Sequence, residues 1–154
     1  MRKTRVYVDT SVFGGSEDEE FSEASNRFFD LVRSGRFVVL LSEETLRELE
    51  NAPAAVHRLW DSLPTEQLEA VHIGQEVANL AQQYVEAGVL GVGSMSDALH
   101  VASASVAGAD LILSWNFRHI VNFDRIRGFN GVNVLNGYRT MTILSPLEVG
   151  ADED

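Results

Sequence analysis

A few polar side chains stand where a folded chain could use them for chemistry. Asp9 closes the short apolar run Arg5-Val6-Tyr7-Val8. Ser114 and Asn116 follow a second run, Leu111-Ile112-Leu113, and Asp97 opens the alanine-rich helical segment leading into it. In an open α/β sheet, ligands bind beyond the carboxyl ends of the strands. A carboxylate there is costly to desolvate unless a cation or hydrogen-bond donors compensate it. Two or more gathered at one place repel each other, and a divalent cation relieves the repulsion. The hard oxygen donors favour magnesium or manganese.

Each of these residues also has an ordinary structural reading. Asp9-Thr10-Ser11 is common turn chemistry. Asp97 lies three residues after Ser94, the spacing of a capping box. Glu48 shares one short helix with Glu43, Glu44 and Glu50, where most acids face solvent. A helical wheel turns Thr45, Leu46 and Leu49 inward and leaves both Glu48 and Glu50 at the margin, so the wheel does not choose between them.

Other chemistries are excluded. The chain has no cysteine, hence no disulfide, thiolate zinc site or cysteine nucleophile. Its histidines, His57, His72, His100 and His119, show no metal-ligand spacing and read as structural or surface residues. His119 stays open because it follows Trp115-Asn116-Phe117-Arg118 at the expected active edge. Gly88, Gly91 and Gly93 form no phosphate loop, and no Gly-Lys-Ser or Gly-Lys-Thr triplet occurs, which removes P-loop nucleotide hydrolysis. A net charge of −11 argues against a generally basic nucleic-acid surface.

These side chains need a scaffold, and the pattern of the 154 residues supplies one. Strands are expected at 5–9, 37–41, 69–73, 110–114 and 141–144. Helices are expected near 21–34, from the Ser42 cap to 51, at 53–63, at 75–87, and from a Ser94 or Ser96 cap to 107. Thr10 to Gly15 reads as a loop. Unbroken apolar strands alternating with helices predict a parallel sheet covered on both faces. Residues 1–150 form one α/β domain, with 151–154 an acidic tail. No run approaches the roughly 18 apolar residues of a membrane span, and no secretory leader is read. The expected location is the cytoplasm.

The ordered segments Tyr7-Val8-Asp9-Thr10-Ser11, Ser42-Glu43-Glu44-Thr45-Leu46-Arg47-Glu48-Leu49, Ser96-Asp97-Ala98-Leu99-His100-Val101-Ala102 and Asp110-Leu111-Ile112-Leu113-Ser114-Trp115-Asn116-Phe117-Arg118-His119-Ile120 resemble the motifs of PIN domains. The similarity spans about residues 5–147 and is greatest to the VapC-like toxins of toxin–antitoxin pairs. It implies a three-layer α/β/α PIN-like fold with a five-stranded parallel sheet. The implied activity is that of a metal-dependent ribonuclease, with Mg2+ or Mn2+ as cofactor. The implied metal ligands are Asp9, Glu48 and Asp97, so the resemblance selects Glu48 over Glu50. The fourth position departs from the commonest pattern: Asn116 stands where many relatives carry an aspartate. An amide oxygen can still ligate a metal but brings no negative charge.

On this reading Asp9, Glu48, Asp97 and Asn116 form the catalytic set. Thr10, Ser11, Ser114 and Arg118 are candidates to contact an RNA substrate, with Thr10 or Ser11 alternatively orienting Asp9. Residues 111–140 carry Arg118, Arg125, Arg127 and Arg139 against the single acid Asp124. Trp115, Phe117, Phe123, Phe129 and Tyr138 are interleaved among them, a composition suited to single-stranded RNA. The relatives act with a small VapB-like antitoxin, and often as homodimers. Two alternatives stand beside this reading. One is a catalytically impaired PIN-like module that binds RNA or a protein. The other is a phosphoryl-transfer enzyme with an aspartyl nucleophile, disfavoured because no second Asp follows Asp9 two residues on and Lys3 is the only lysine.

Overall fold

Five short strands pair in parallel in the order β3-β2-β1-β4-β5. They are β1 (Thr4–Val8), β2 (Phe37–Ser42), β3 (Leu68–Val71), β4 (Leu111–Leu113) and β5 (Thr142–Leu144). The computed structural model describes residues 2–149, so the expected tail at 151–154 lies outside the described residues. The helices are α1 (Thr10–Gly15), α2 (Ser22–Arg33), α3 (Glu43–Leu49), α4 (Ala54–Asp61), α5 (Gln75–Glu86), α6 (Met95–Ala107) and α7 (Phe123–Leu135). None of them is long and apolar enough to cross a membrane.

Successive strand residues point to opposite faces, and each face has its own core. Tyr7, Leu40, Ile112 and Ile143 pack with Leu80, Tyr84, Val101 and Phe129 from α5, α6 and α7. Val6, Val8, Val39, Leu41 and Leu113 pack with Phe13, Phe28, Phe29, Val56 and Leu59 from α1, α2 and α4. The three-layer arrangement with five parallel strands is the one expected.

Several local expectations are corrected. Thr10–Gly15 is a helix, not a loop. Val12 and Phe13 are wholly buried, and seating them against the sheet outweighs the poor helix propensity of Gly14 and Gly15. Gly15 is required by close packing: a Cβ there would lie 2.6 Å from the Trp115 indole Nε1. The helix α7 had no counterpart in the sequence pattern. Leu46 does not face inward but is 44% exposed, unlike Thr45 and Leu49. Ser42 and Ser94 occupy N-cap positions without a side-chain capping bond. Ser42 Oγ instead lies 2.8 Å from the Tyr7 hydroxyl.

The chain order of the strands reverses at β1. From there the chain goes first to β2 on one side and later to β4 on the other. The carboxyl ends of β1 and β4 therefore flank a topological switch point, where ligands of open α/β sheets bind.

Candidate active site

Asp9 follows β1 directly. Its backbone N–H donates to Leu113 O at 3.0 Å, extending the β1–β4 ladder by one residue and holding the side chain at the switch point. The residue is 5% exposed. Two hydroxyls meet its Oδ2: Ser11 Oγ at 2.7 Å and Ser114 Oγ at 2.6 Å. Those hydroxyls are held in turn, since Trp115 N donates to Ser11 Oγ and Asn116 N to Ser114 Oγ, each at 2.9 Å. Ser11 and Ser114 thus act on Asp9. Ser114 is fully buried, which leaves it no substrate-facing surface.

Glu48 arrives from α3 on the opposite side. Thr10 Oγ1 donates to its Oε1 at 2.7 Å, His100 Nε2 lies 2.7 Å from the same oxygen, and Ser96 Oγ donates to Oε2 at 3.2 Å. Glu50 is exposed to solvent. Thr10 orients Glu48 rather than Asp9, while Ser96 also donates to Glu44 at 2.6 Å instead of capping α6. Burial opposes the ionised form of Glu48, but the donors His100, Thr10 and Ser96 and the charge of His100 outweigh it, bringing its pKa down to about 2.

Asp97 projects from the first turn of α6. It does not form the capping box its spacing suggested. Asn116 Nδ2 donates to its Oδ1 at 3.2 Å, and His119 Nδ1 lies 3.0 Å from its Oδ2. Asn116 Oδ1 accepts from His119 N at 2.9 Å, so the turn after β4 presents both residues to Asp97. Burial, then repulsion from Asp9, raise the pKa of Asp97 despite the opposing pull of His119.

His100 was not singled out from the sequence. It is 1% exposed, with Nδ1 2.7 Å from the Tyr7 hydroxyl and Nε2 also 3.6 Å from Asp9 Oδ1. Burial works against its charged form, but the Tyr7 oxygen, Glu48 and Asp9 prevail and raise its pKa to about 10. The signal was its place three residues after Asp97, one helical turn on the same face. His57 and His72 lie outside this centre, His57 with Nε2 against Leu49 O and His72 on the surface with Nδ1 beside Glu43.

Of the three expected metal ligands, Asp9 and Glu48 both lie against His100, and Asp97 connects to Asp9 through Asn116 and Ser114, an arrangement of linked acids and not a ready-made cage. Among the described residues, no group of three or more His, Asp or Glu side chains is spaced to hold one ion. The donor set nonetheless fits a hard divalent cation at the Asp9–Asp97 pair: anionic oxygens, mostly buried, repelling each other.

The segment after β4 divides into core and surface. Trp115 and Phe129 are buried, Trp115 stacking on Phe21 at 4.1 Å, so neither is available to bases. Arg125 and Arg139 spend hydrogen bonds on Val89 O and Gly108 O. Arg118 is exposed, and Phe117, next to Asn116, is 47% exposed.

No family model matches the sequence, and no curated protein matches it. Solved structures do. A chain in the structure of VapBC2 from Rickettsia felis bound to a DNA fragment from their promoter superposes with a TM-score of 0.61 at 13% identity, covering 92% of this chain and 98% of that one. A chain of DNA-bound VapBC from Salmonella typhimurium gives 0.56 at 20% identity, covering 93% and 98%. A chain of FitAcB from Neisseria gonorrhoeae gives 0.61 at 13% identity, covering 94% and 99%. Coverage of nearly the whole length on both sides shows that this chain has the three-layer PIN-like α/β fold of those proteins.

Proposed function

We propose that the chain is a metal-dependent ribonuclease of the VapC-like type, hydrolysing RNA phosphodiester bonds with Mg2+ or Mn2+ at a centre built from Asp9, Glu48 and Asp97. The observation that carries this reading is convergence. Side chains from β1, α3, α6 and the turn after β4 join one hydrogen-bonded network at the switch point of the sheet. The fold shared with VapBC and FitAcB chains supports it.

Asp9 and Asp97 are the residues that would hold the cation, with Glu48 beside them. A divalent cation there supplies Lewis-acid polarisation of a phosphate oxygen and activation of water. Ser11 and Ser114 fix the Asp9 carboxylate, and Thr10 fixes Glu48, so the acids need little reorganisation. Asn116 fills the fourth position with a neutral amide that tethers Asp97. Arg118, exposed beside Asn116, is placed to meet the RNA backbone. Net acidity is compatible with this, because contact with RNA is then local and bridged by the cation.

The partners in this reading are RNA, a VapB-like antitoxin protein, as the names of the similar complexes suggest, and a second copy of the chain. The cytoplasm is the compartment. A second reading, a catalytically impaired PIN-like module that binds RNA or a protein, is favoured by the neutral Asn116 and the lack of a ready-made three-ligand group among the described residues.

Incubating structured RNAs with the protein and Mn2+ or Mg2+ separates the two. Metal-dependent cleavage that falls about 10²–10³-fold in Asp9→Asn and Asp97→Asn supports the enzyme. Cleavage that survives both substitutions removes the assigned centre. Binding without cleavage supports the second reading.

A further inference from the structure

We propose that His100 is a positioning residue: anchored by the Tyr7 hydroxyl, its imidazole holds the Glu48 carboxylate toward Asp9. The functional meaning of this rests on the ribonuclease reading above; the structural relay does not.

The argument begins with burial. His100 is 1% exposed and Tyr7 is wholly buried, so every polar atom of the pair needs a partner inside the protein. Both ring nitrogens have one. Nδ1 lies 2.7 Å from the Tyr7 hydroxyl and Nε2 lies 2.7 Å from Glu48 Oε1. The partner on one nitrogen sets what the other can do. Glu48 can only accept at this contact, so Nε2 carries the proton aimed at it, whichever way the hydrogen between Nδ1 and the Tyr7 hydroxyl points. Tyr7 is itself fixed, since its hydroxyl lies 2.8 Å from Ser42 Oγ and 3.4 Å from Thr45 Oγ1.

The relay therefore runs from the central strand β1 through α6 to α3. Its far end lies where the acids meet, because His100 Nε2 is also 3.6 Å from Asp9 Oδ1. Glu48 is the acid that needs such help. It projects from a seven-residue helix, α3, and is more exposed than Asp9. A long carboxylate side chain loses substantial rotamer freedom on being fixed. Filling the core would not require both nitrogens of the ring to be bonded, one of them to an acid of the site.

The test uses two amides of different reach. In His100→Asn the side-chain amide stands near the Nδ1 position and reaches Tyr7 but not Glu48. In His100→Gln it extends to the Nε2 position and reaches Glu48. Metal-free crystal structures of both variants read the Glu48 side chain directly. The expected result is Glu48 in place in His100→Gln and displaced from Asp9 in His100→Asn. Glu48 unmoved in His100→Asn, or displaced equally in both, overturns the proposal.

Should His100→Asn fail to fold, Tyr7→Phe decides. Loss of the anchoring hydroxyl is expected to leave Glu48 in more than one rotamer, and a single unchanged rotamer overturns the relay. Calorimetric titration with Mn2+ then gives the functional cost. Binding about 10–100-fold weaker in His100→Asn, largely recovered in His100→Gln, is the expected pattern. Equal Mn2+ affinity in wild type and His100→Asn counts against the positioning role. Absence of Mn2+ binding in the wild type counts against the metal reading alone, because the crystal structures decide the relay independently.

Discussion

Asn116 Nδ2 donates to Asp97 Oδ1 at 3.2 Å, so the one neutral member of the expected acidic set is tied to the acid most in need of relief. Asp97 is half-buried, and burial and then the charge of Asp9 both disfavour its ionised form. An amide at 116 lowers the repulsion that a fourth carboxylate would add. The substitution Asn116→Asp should therefore destabilise the metal-free protein. It should also enlarge the rise in melting temperature that Mn2+ produces, since a ligand bound only by the folded state stabilises it. Thermal melts with and without Mn2+ check this, and an identical metal-induced shift in wild type and variant contradicts it.

The raised pKa of Asp97 makes a signed prediction about pH. A carboxyl group whose folded pKa lies above its unfolded value binds protons more readily in the folded state. Its contribution to stability falls as pH rises from about 3.8 through the folded pKa, then stays low. Asp97→Asn removes that loss while keeping an oxygen for His119. Without metal at neutral pH, the variant should melt higher than wild type by about 2–4 °C for each kcal/mol of burial cost and repulsion removed. The gap should close in acid. A variant that melts lower than wild type at neutral pH would show that the bonds from His119 and Asn116 outweigh the cost of burying the charge and the repulsion from Asp9.

At the basal end of the sheet, Asp110 gives the opposite sign. Arg2 donates to both its oxygens at 2.9 Å and Arg5 N donates at 2.7 Å, and these bonds lower its pKa. The stability they contribute is present above about pH 3.8 and lost as pH falls through the depressed value. Asp110→Asn should lower stability at neutral pH and flatten the acid limb of a stability–pH profile. An acid limb as steep as that of wild type would assign acid sensitivity to other carboxylates.

Much of this architecture is legible in the chain because burial writes directly onto sequence. Val6, Val8, Val39, Leu41 and Leu113 face one core and Tyr7, Leu40 and Ile112 the other, which is why β1, β2 and β4 read as unbroken apolar runs. Asp9 directly follows β1 and Asp97 lies in the first turn of α6, so both are positioned by elements that the pattern marks. What escaped notice is what tertiary contacts decide. Thr10-Ser11-Val12-Phe13-Gly14-Gly15 has turn composition, and it is helical because the sheet accepts Val12 and Phe13. In α7, Gly128, Gly131 and the two asparagines Asn130 and Asn133 hide any apolar stripe. Leu46 looks like a core residue until its neighbours Thr45 and Leu49 take the inner face. His100 escaped because its spacing from Asp97 marks a shared helix face but names no partner for the ring. Its role depends on Tyr7, 93 residues away.

The tight seam between α1 and the turn after β4 yields a prediction about stability. At Gly15 a Cβ would lie 2.6 Å from Trp115 Nε1 and 2.8 Å from Ser25 Oγ, the two atoms that bond to each other at 2.8 Å. Gly15→Ala should cost about 1–3 kcal/mol by overpacking. It should also shift the emission of Trp115, read in a Trp60→Phe background because the chain has two tryptophans. Denaturant unfolding measures the cost. An unchanged midpoint and spectrum would mean that the indole moves aside freely, and with it the turn that carries Asn116.

Phe117 and Arg118 are adjacent, exposed and next to Asn116, yet they would meet a single-stranded RNA in different ways. An aromatic face stacks on a base, worth about 1–3 kcal/mol and insensitive to salt. A guanidinium on a phosphate releases counterions, contributing about 0.7 to the slope of log affinity against log salt for a single strand. Phe117→Ala should therefore weaken binding of a short unstructured RNA at every salt concentration without changing the slope. Arg118→Ala should reduce the slope by about 0.7 and lose its effect in high salt. Trp115→Ala, at a 6%-exposed position stacked on Phe21, should lower stability instead. Fluorescence anisotropy across a salt series, with a melt for each variant, separates the three. If Phe117→Ala and Arg118→Ala both leave affinity untouched, RNA does not cross the turn after β4, and the path to Asp9 and Asp97 must approach from the α3 side.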